Sequence, residues 1–146
     1  MANGLFSPSV TALVERGLSL FTADLAAIEP VPFLHDTTTK NVIVAPDGTL
    51  SGIVDVDDLC YGDPRYPAAL TAAAMLAWDG PQDYVSAWLA RLGQPRDALF
   101  DFYVATFLLD FMSEQGMTFN GNEIPADPLV CSRLSHLLAK ALRDAA

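Results

Sequence analysis

Residues 33–64 read FLHDTTTKNVIVAPDGTLSGIVDVDDLCYGDP, a stretch that crowds Asp36, Asn41, Asp55, Asp57 and Asp58 around one short hairpin. The runs NVIVA and LSGIVDV are rich in β-branched residues, and PDGT between them is a turn signal. A turn of this kind needs one Asp-Gly pair, which Asp47-Gly48 supplies. The other carboxylates need a different reason. Antiparallel pairing about the turn brings Asn41 and Asp55 to the same open end. Asp36, in the loop just before the first strand, can reach that end too. A carboxylate able to act as a base, beside an Asn/Asp oxygen pair, is a donor set that suits Mg²⁺ and leaves positions for phosphates and water. Phosphoryl transfer uses those parts: a metal that neutralises the phosphates and an Asp that orients or deprotonates a hydroxyl.

Outward from the hairpin the pattern is helical. Residues 8–28, PSVTALVERGLSLFTADLAAI, predict one helix from the spacing of Val10, Leu13, Val14, Leu18, Phe21, Leu25 and Ile28, with Ser7 as N-cap ahead of Pro8. EPVPF then ends it. Beyond Asp55 the chain turns irregular, and Asp63-Pro64 reads as an N-cap followed by Pro at the first helical position. YPAALTAAAMLAW, PQDYVSAWLARL, QPRDALFDFYVATFLLDFMSEQ and DPLVCSRLSHLLAKALRDA are four further helical stretches, separated by Gly and Pro. The third is apolar nearly all round and should be the buried centre. Trp78, Trp88, Phe100, Phe107 and Phe111 are expected in the core. The fold class is mainly α with a short β-hairpin (α+β), in one domain over residues 1–146: helix 8–28, catalytic loop and hairpin 33–63, helical bundle 64–146. A two-stranded hairpin is marginal alone, so it must pack on these helices or on something outside the chain.

Composition narrows the function. The 146 residues suffice for one domain with a real core. Apolar residues make up 51% and mean hydropathy is +0.28, yet charges and prolines break every apolar run before a membrane-spanning length. MANGLFSPSV has no basic region followed by an apolar core, so no secretory signal is read there. Cys60 and Cys131 lack metal-ligand spacing and read as reduced thiols, which fits a cytoplasmic setting. Eighteen acidic against eight basic residues give a net charge of −10. That argues against a nucleic-acid partner and would draw in a cationic small molecule; it also keeps an apolar domain dissolved.

The spacing D-x-x-x-x-N from Asp36 to Asn41 resembles the catalytic loop of the aminoglycoside phosphotransferases and related choline-kinase-like small-molecule kinases. SGIVDVDDLCYGDPRY resembles their metal-binding strand and the Gly-Asp-Pro segment after it. The resemblance spans residues 33–66, and the helices that follow suit the family's C-terminal lobe. It implies Asp36 as catalytic base, Asn41 and Asp55 as Mg²⁺ ligands, Asp63 as a structural helix cap, and ATP as the phosphoryl donor to a small-molecule hydroxyl. Lys40 is a candidate phosphate contact, with a solvated side chain as the alternative. The chain departs from the family in three places. Leu34 stands where the family has His, with His35 in the usual Gly position, and Tyr66-Pro67 stands where an Asp often follows Gly-Asp-Pro. No Gly-rich loop or Lys-bearing strand precedes residue 33, so the resemblance implies a C-terminal lobe whose nucleotide lobe is absent, with apolar faces left for that lobe or for self-association.

Three rival readings follow from the same residues. GIVDVDDL resembles the first motif of haloacid-dehalogenase-type phosphatases, but only helices are read after residue 64. An EF-hand is excluded because Cys60 stands where the loop needs Gly. A catalytically incomplete lobe acting as a binding or dimerisation module is the non-enzymatic alternative. Asp97, Asp101, Asp110, Glu114, Glu123 and Asp127 read as solvated helix faces, or as attractors of a substrate amine.

Overall fold

The computed structural model describes residues 8–35, 41–57, 59–119, 122–123 and 125–145. Within them the fold is α+β, with six helices and three two-stranded antiparallel ladders. The long helix α5 (Ala98–Glu114) lies at the centre, flanked by α3 (Tyr66–Ala77) and α6 (Pro128–Asp144). Its Phe100, Phe102, Val104, Leu108 and Met112 are buried on several sides at once, as expected of a helix apolar all round. Helix α3 meets it through Ala68, Ala69, Ala72 and Ala73, whose small side chains let two backbones approach closely. Helix α6 is amphipathic and turns Leu134, Leu138, Ala141 and Leu142 inward. Helix α4 (Asp83–Leu92) adds Val85 and Leu89.

Capping explains two of the acids read as solvated faces. The Asp97 carboxylate accepts from Phe100 N at 3.0 Å and starts α5; the Asp127 carboxylate accepts from Leu129 N at 2.8 Å and starts α6, with Pro128 behind it. Asp101 is also engaged locally, in an ion pair with Arg96 at 3.1 Å.

The 8–28 helix is broken. α1 (Pro8–Leu20) and α2 (Thr22–Ala26) meet at Phe21, which is buried. Leu18 of the expected apolar stripe is 49% exposed. Gly17 takes the inward place instead, seated against the ring of Phe102.

Trp78 is the clearest correction to the expected core: it is 74% exposed. Helix α3 ends just before it, and its ring only leans on Phe111 at 5.7 Å. Trp88 is half-buried beside Tyr84.

The end of α3 follows a Schellman pattern, with Gly80 N donating to Met75 O at 2.6 Å and Asp79 N to Leu76 O at 3.4 Å. The left-handed position is filled by Asp79 (φ 61°), where Gly93 serves the same role after α4. Arg133 pairs with the Asp79 carboxylate at 2.8 Å and donates to Leu76 O at 3.2 Å. The ion pair is largely solvated and worth under about 1 kcal/mol. Relief of the left-handed strain is worth about 1 kcal/mol. Asp79→Gly should therefore stabilise the chain by several tenths of a kcal/mol. A thermal melt checks this, and a lowered midpoint would show that the Arg133 pair outweighs the backbone term.

Four strands lie outside the expected hairpin. β1 (Val31–Leu34) pairs with β4 (Leu59–Gly62) in the register Val31↔Gly62 to Leu34↔Leu59. Pro32 made this segment look like a breaker, but each strand of a two-stranded ladder has a free edge, where a residue without N–H is tolerated. β2 (Val42–Val44) and β3 (Leu50–Ile53) form the expected hairpin. The second run stops at Ile53 rather than continuing through Val56. A third short ladder pairs β5 (Thr118–Phe119) with β6 (Asn122–Glu123). Among the described residues no helix is long and apolar enough to cross a membrane.

Candidate functional site

The hairpin turn explains how the open end is assembled. Gly48 N donates to Ala45 O at 2.9 Å, and Ala45 N donates to Thr49 O at 2.8 Å. Gly48 sits at φ 84°, as a type I turn closed by a left-handed residue requires. The Asp47 carboxylate accepts from the Thr49 hydroxyl at 2.7 Å and from Thr49 N at 3.0 Å, and these bonds hold its pKa below the ordinary value. Asp47 therefore belongs to the turn.

With the turn set, Val42 faces Ile53, and Val54 N donates to Asn41 O at 2.9 Å. Asn41 and Asp55 are thus brought to the same end of the ribbon. Asn41 is 5% exposed, whereas Asp55 faces solvent. Asp55 adopts φ 58°, a left-handed conformation that costs a non-glycine residue about 1 kcal/mol or more. Asp36 and Lys40 lie outside the described residues, as do Thr37, Thr38, Thr39 and Asp58. Asp57 is exposed. The Asn41 amide oxygen and the Asp55 carboxylate are hard oxygen donors of the kind Mg²⁺ accepts while keeping phosphate and water in its other positions. Among the described residues no group of three or more His, Cys, Asp or Glu is arranged to hold a metal.

Behind β1 and β4 lies an aromatic floor. Tyr66 packs on Phe107 at 4.6 Å, Tyr103 at 5.5 Å and Phe33 at 6.1 Å. His35 lies against the same rings, at 5.9 Å from Tyr66 and 6.1 Å from Phe107. A cleft of about 430 Å³ opens here, lined by Phe33, Cys60, Asp63, Tyr66 and Tyr103 among others. Burial, then the charges of Asp110 and Cys60, push the Tyr66 hydroxyl up. Cys60 and Cys131 are half-buried free thiols.

Asp63 does not cap α3 in the expected way. The helix starts at Tyr66, and the Asp63 carboxylate instead accepts from Arg65 N at 2.9 Å and pairs with the Arg65 guanidinium at 2.7 Å. Arg65 reaches on to Asp97 at 2.8 Å, and the Tyr103 hydroxyl donates to Asp63 at 3.2 Å. Burial alone would raise the Asp63 carboxyl. The Arg65 hydrogen bonds and charge, helped by Tyr103, outweigh it and hold the carboxyl below its ordinary value. This network ties the end of β4 to the starts of α3 and α5. Arg65 was overlooked in the sequence, though a signal was there: it is the only Lys or Arg between Lys40 and Arg91.

A second groove, of about 380 Å³, runs between α1 and α5, with Val10, Val14 and Leu109 on its walls and Glu15 and Asp110 on its rim. Burial, then the Asp110 charge, raises the neighbouring Glu114 carboxyl. Comparison of the chain with protein-family models, with curated proteins and with solved structures finds no match.

Proposed function

We propose that this domain is the C-terminal lobe of a small-molecule phosphotransferase of the aminoglycoside-phosphotransferase type, working in the complete protein with Mg²⁺ and ATP. The observation that carries this reading is the hairpin register, which sets Asn41 beside Val54 and places Asp55 next in line, in a strained left-handed conformation. Asp55 ends no helix, the role that accounts for the left-handed Asp79, and strain of this kind tends to gather at functional sites. Asn41 and Asp55 would hold Mg²⁺, which when bound supplies charge neutralisation at the phosphates. Asp36 would orient the substrate hydroxyl and accept its proton. Lys40 would reach a phosphate oxygen. The acidic rim of the α1–α5 groove, within a chain of net charge −10, favours a cationic substrate.

The test is calorimetric titration of the chain with Mg-ATP, beside Asp55→Gly. Glycine accepts φ 58° without strain, so this variant removes the carboxylate and leaves the backbone at ease. Micromolar binding by the wild type that the variant loses would show a nucleotide site that survives without the first lobe. A folded wild type that does not bind would overturn a working nucleotide site and leave the non-enzymatic binding module, a reading that the solvent-facing apolar hairpin favours.

A further inference from the structure

The β2–β3 ribbon is bare. Ile43, Val44, Leu50, Ile53, Val54 and Val56 each retain between 44 and 66% of their surface, and the main packing partner of each strand is the other. Together these side chains present on the order of 500 Å² of apolar surface, divided between the two faces of the ribbon, so that neither face is covered. A two-stranded ribbon is marginal in water by itself, and among the described residues no third strand pairs with either of its outer edges. Proteins usually guard such edges with Lys. From Asn41 to Gly62 this chain has four Asp and no Lys or Arg. Asp47 stands at the turn, and Asp55 and Asp57 at the open end, so the apolar stretch has acid at both ends.

We propose that the ribbon is a docking edge for a second polypeptide, one that adds an apolar strand carrying Lys or Arg at both of its ends. Charge selects this occupant. In a second copy of the chain aligned parallel, Asp47 would face Asp47; aligned antiparallel, Asp47 would face Asp55 and Asp57. Either way like charges meet across the new ladder among the described residues, which destabilises it. An anionic membrane surface is repelled for the same reason. A basic-ended strand instead gains backbone pairing along the edge, apolar cover for the ribbon and opposite charges at both ends. The inference goes beyond the phosphotransfer reading and does not depend on it.

The test titrates the full chain with a labelled ten-residue peptide of alternating Thr and Val, ended by two Lys on each side, and follows anisotropy at low and high salt. A second peptide carries Glu in place of Lys. The double variant Val44→Asn/Leu50→Asn changes two exposed positions without changing net charge, and a thermal melt checks that it folds. Expected are saturable binding of the Lys peptide, at least a tenfold loss at high salt, a similar loss in the double variant, and no binding of the Glu peptide. Absence of Lys-peptide binding, equal binding of the Glu peptide, or unchanged binding by the double variant overturns the proposal. So does sedimentation of the chain alone as a dimer that the double variant dissolves, since the occupant would then be a second copy. Binding to vesicles of anionic lipid that the double variant abolishes overturns it as well. Mg-ATP titration reads none of these outcomes, so this proposal and the nucleotide site can fail separately.

Discussion

Arg65→Ala should cost about 3–5 kcal/mol, the range for removing one partner of a buried ion pair. In a domain of this size that lowers the melting midpoint by about 10–15 °C. The magnitude comes from what is left behind. Asp63 and Arg65 are both buried, at 7% exposure each, and the Asp63 carboxylate accepts three hydrogen bonds from the Arg65 guanidinium. Without the guanidinium, the Asp63 carboxylate keeps only the Arg65 backbone N–H and the Tyr103 hydroxyl. Asp97→Asn should cost far less, because that carboxylate is 44% exposed and its capping bond to Phe100 N can be kept by an amide oxygen.

The same network predicts how the loss varies with pH. In the wild type the folded Asp63 carboxyl lies below its ordinary value near 3.8. Its stabilising contribution is therefore fully present above about pH 4 and is lost as pH falls through the lower folded value. In Arg65→Ala burial dominates and raises the carboxyl, so its charged form destabilises the fold at neutral pH and protonation relieves it on acidification. The gap between the two proteins should be widest near neutrality and close below about pH 4. Denaturant melts from pH 3 to 7 check this, and a constant gap would mean that Arg65 acts through packing alone. At the alkaline end the direction reverses. Burial, then the Asp63 charge and the bond to Asp63, raise the Tyr103 hydroxyl well above its ordinary value of 10. That contribution is present below pH 10 and lost as pH rises beyond it.

Gly17→Ala should destabilise the chain by about 1–3 kcal/mol, the cost of overpacking. Helix propensity alone predicts the opposite sign, a gain of about 1 kcal/mol for replacing a mid-helix glycine. Tertiary contact decides. A Cβ at Gly17 would overlap the Phe102 ring, which is 2% exposed and stacked against Phe21 at 5.3 Å. The ring is walled in, so α1 has to lift. Chemical denaturation of Gly17→Ala beside Gly17→Ala/Phe102→Leu is the check. Partial recovery in the double variant is expected, and a stabilised single variant would show that α1 has room to shift at no cost.

The helices and the hairpin were legible because their signals are local. Asp47-Gly48 specifies its own turn, Pro128 follows a carboxylate that caps the helix, and the apolar belt of residues 98–114 can only be satisfied by burial. The register that sets Asn41 against Val54, with Asp55 next in the chain, follows from the same turn and was readable as well. Pairing of β1 with β4 was not, since it joins segments more than twenty residues apart and one of them carries a proline. The exposure of Trp78 and Leu18 was also out of reach: periodicity says which residues share a face, but where the helix stops and which neighbour fills the gap are decided by packing. Arg65 is the sharpest case. Sequence shows a lone cation two residues after Asp63. Only the fold, by bringing Asp97 and Tyr103 from α5 against it, turns that cation into a buried clamp, because a charge leaves water only where several partners converge on it.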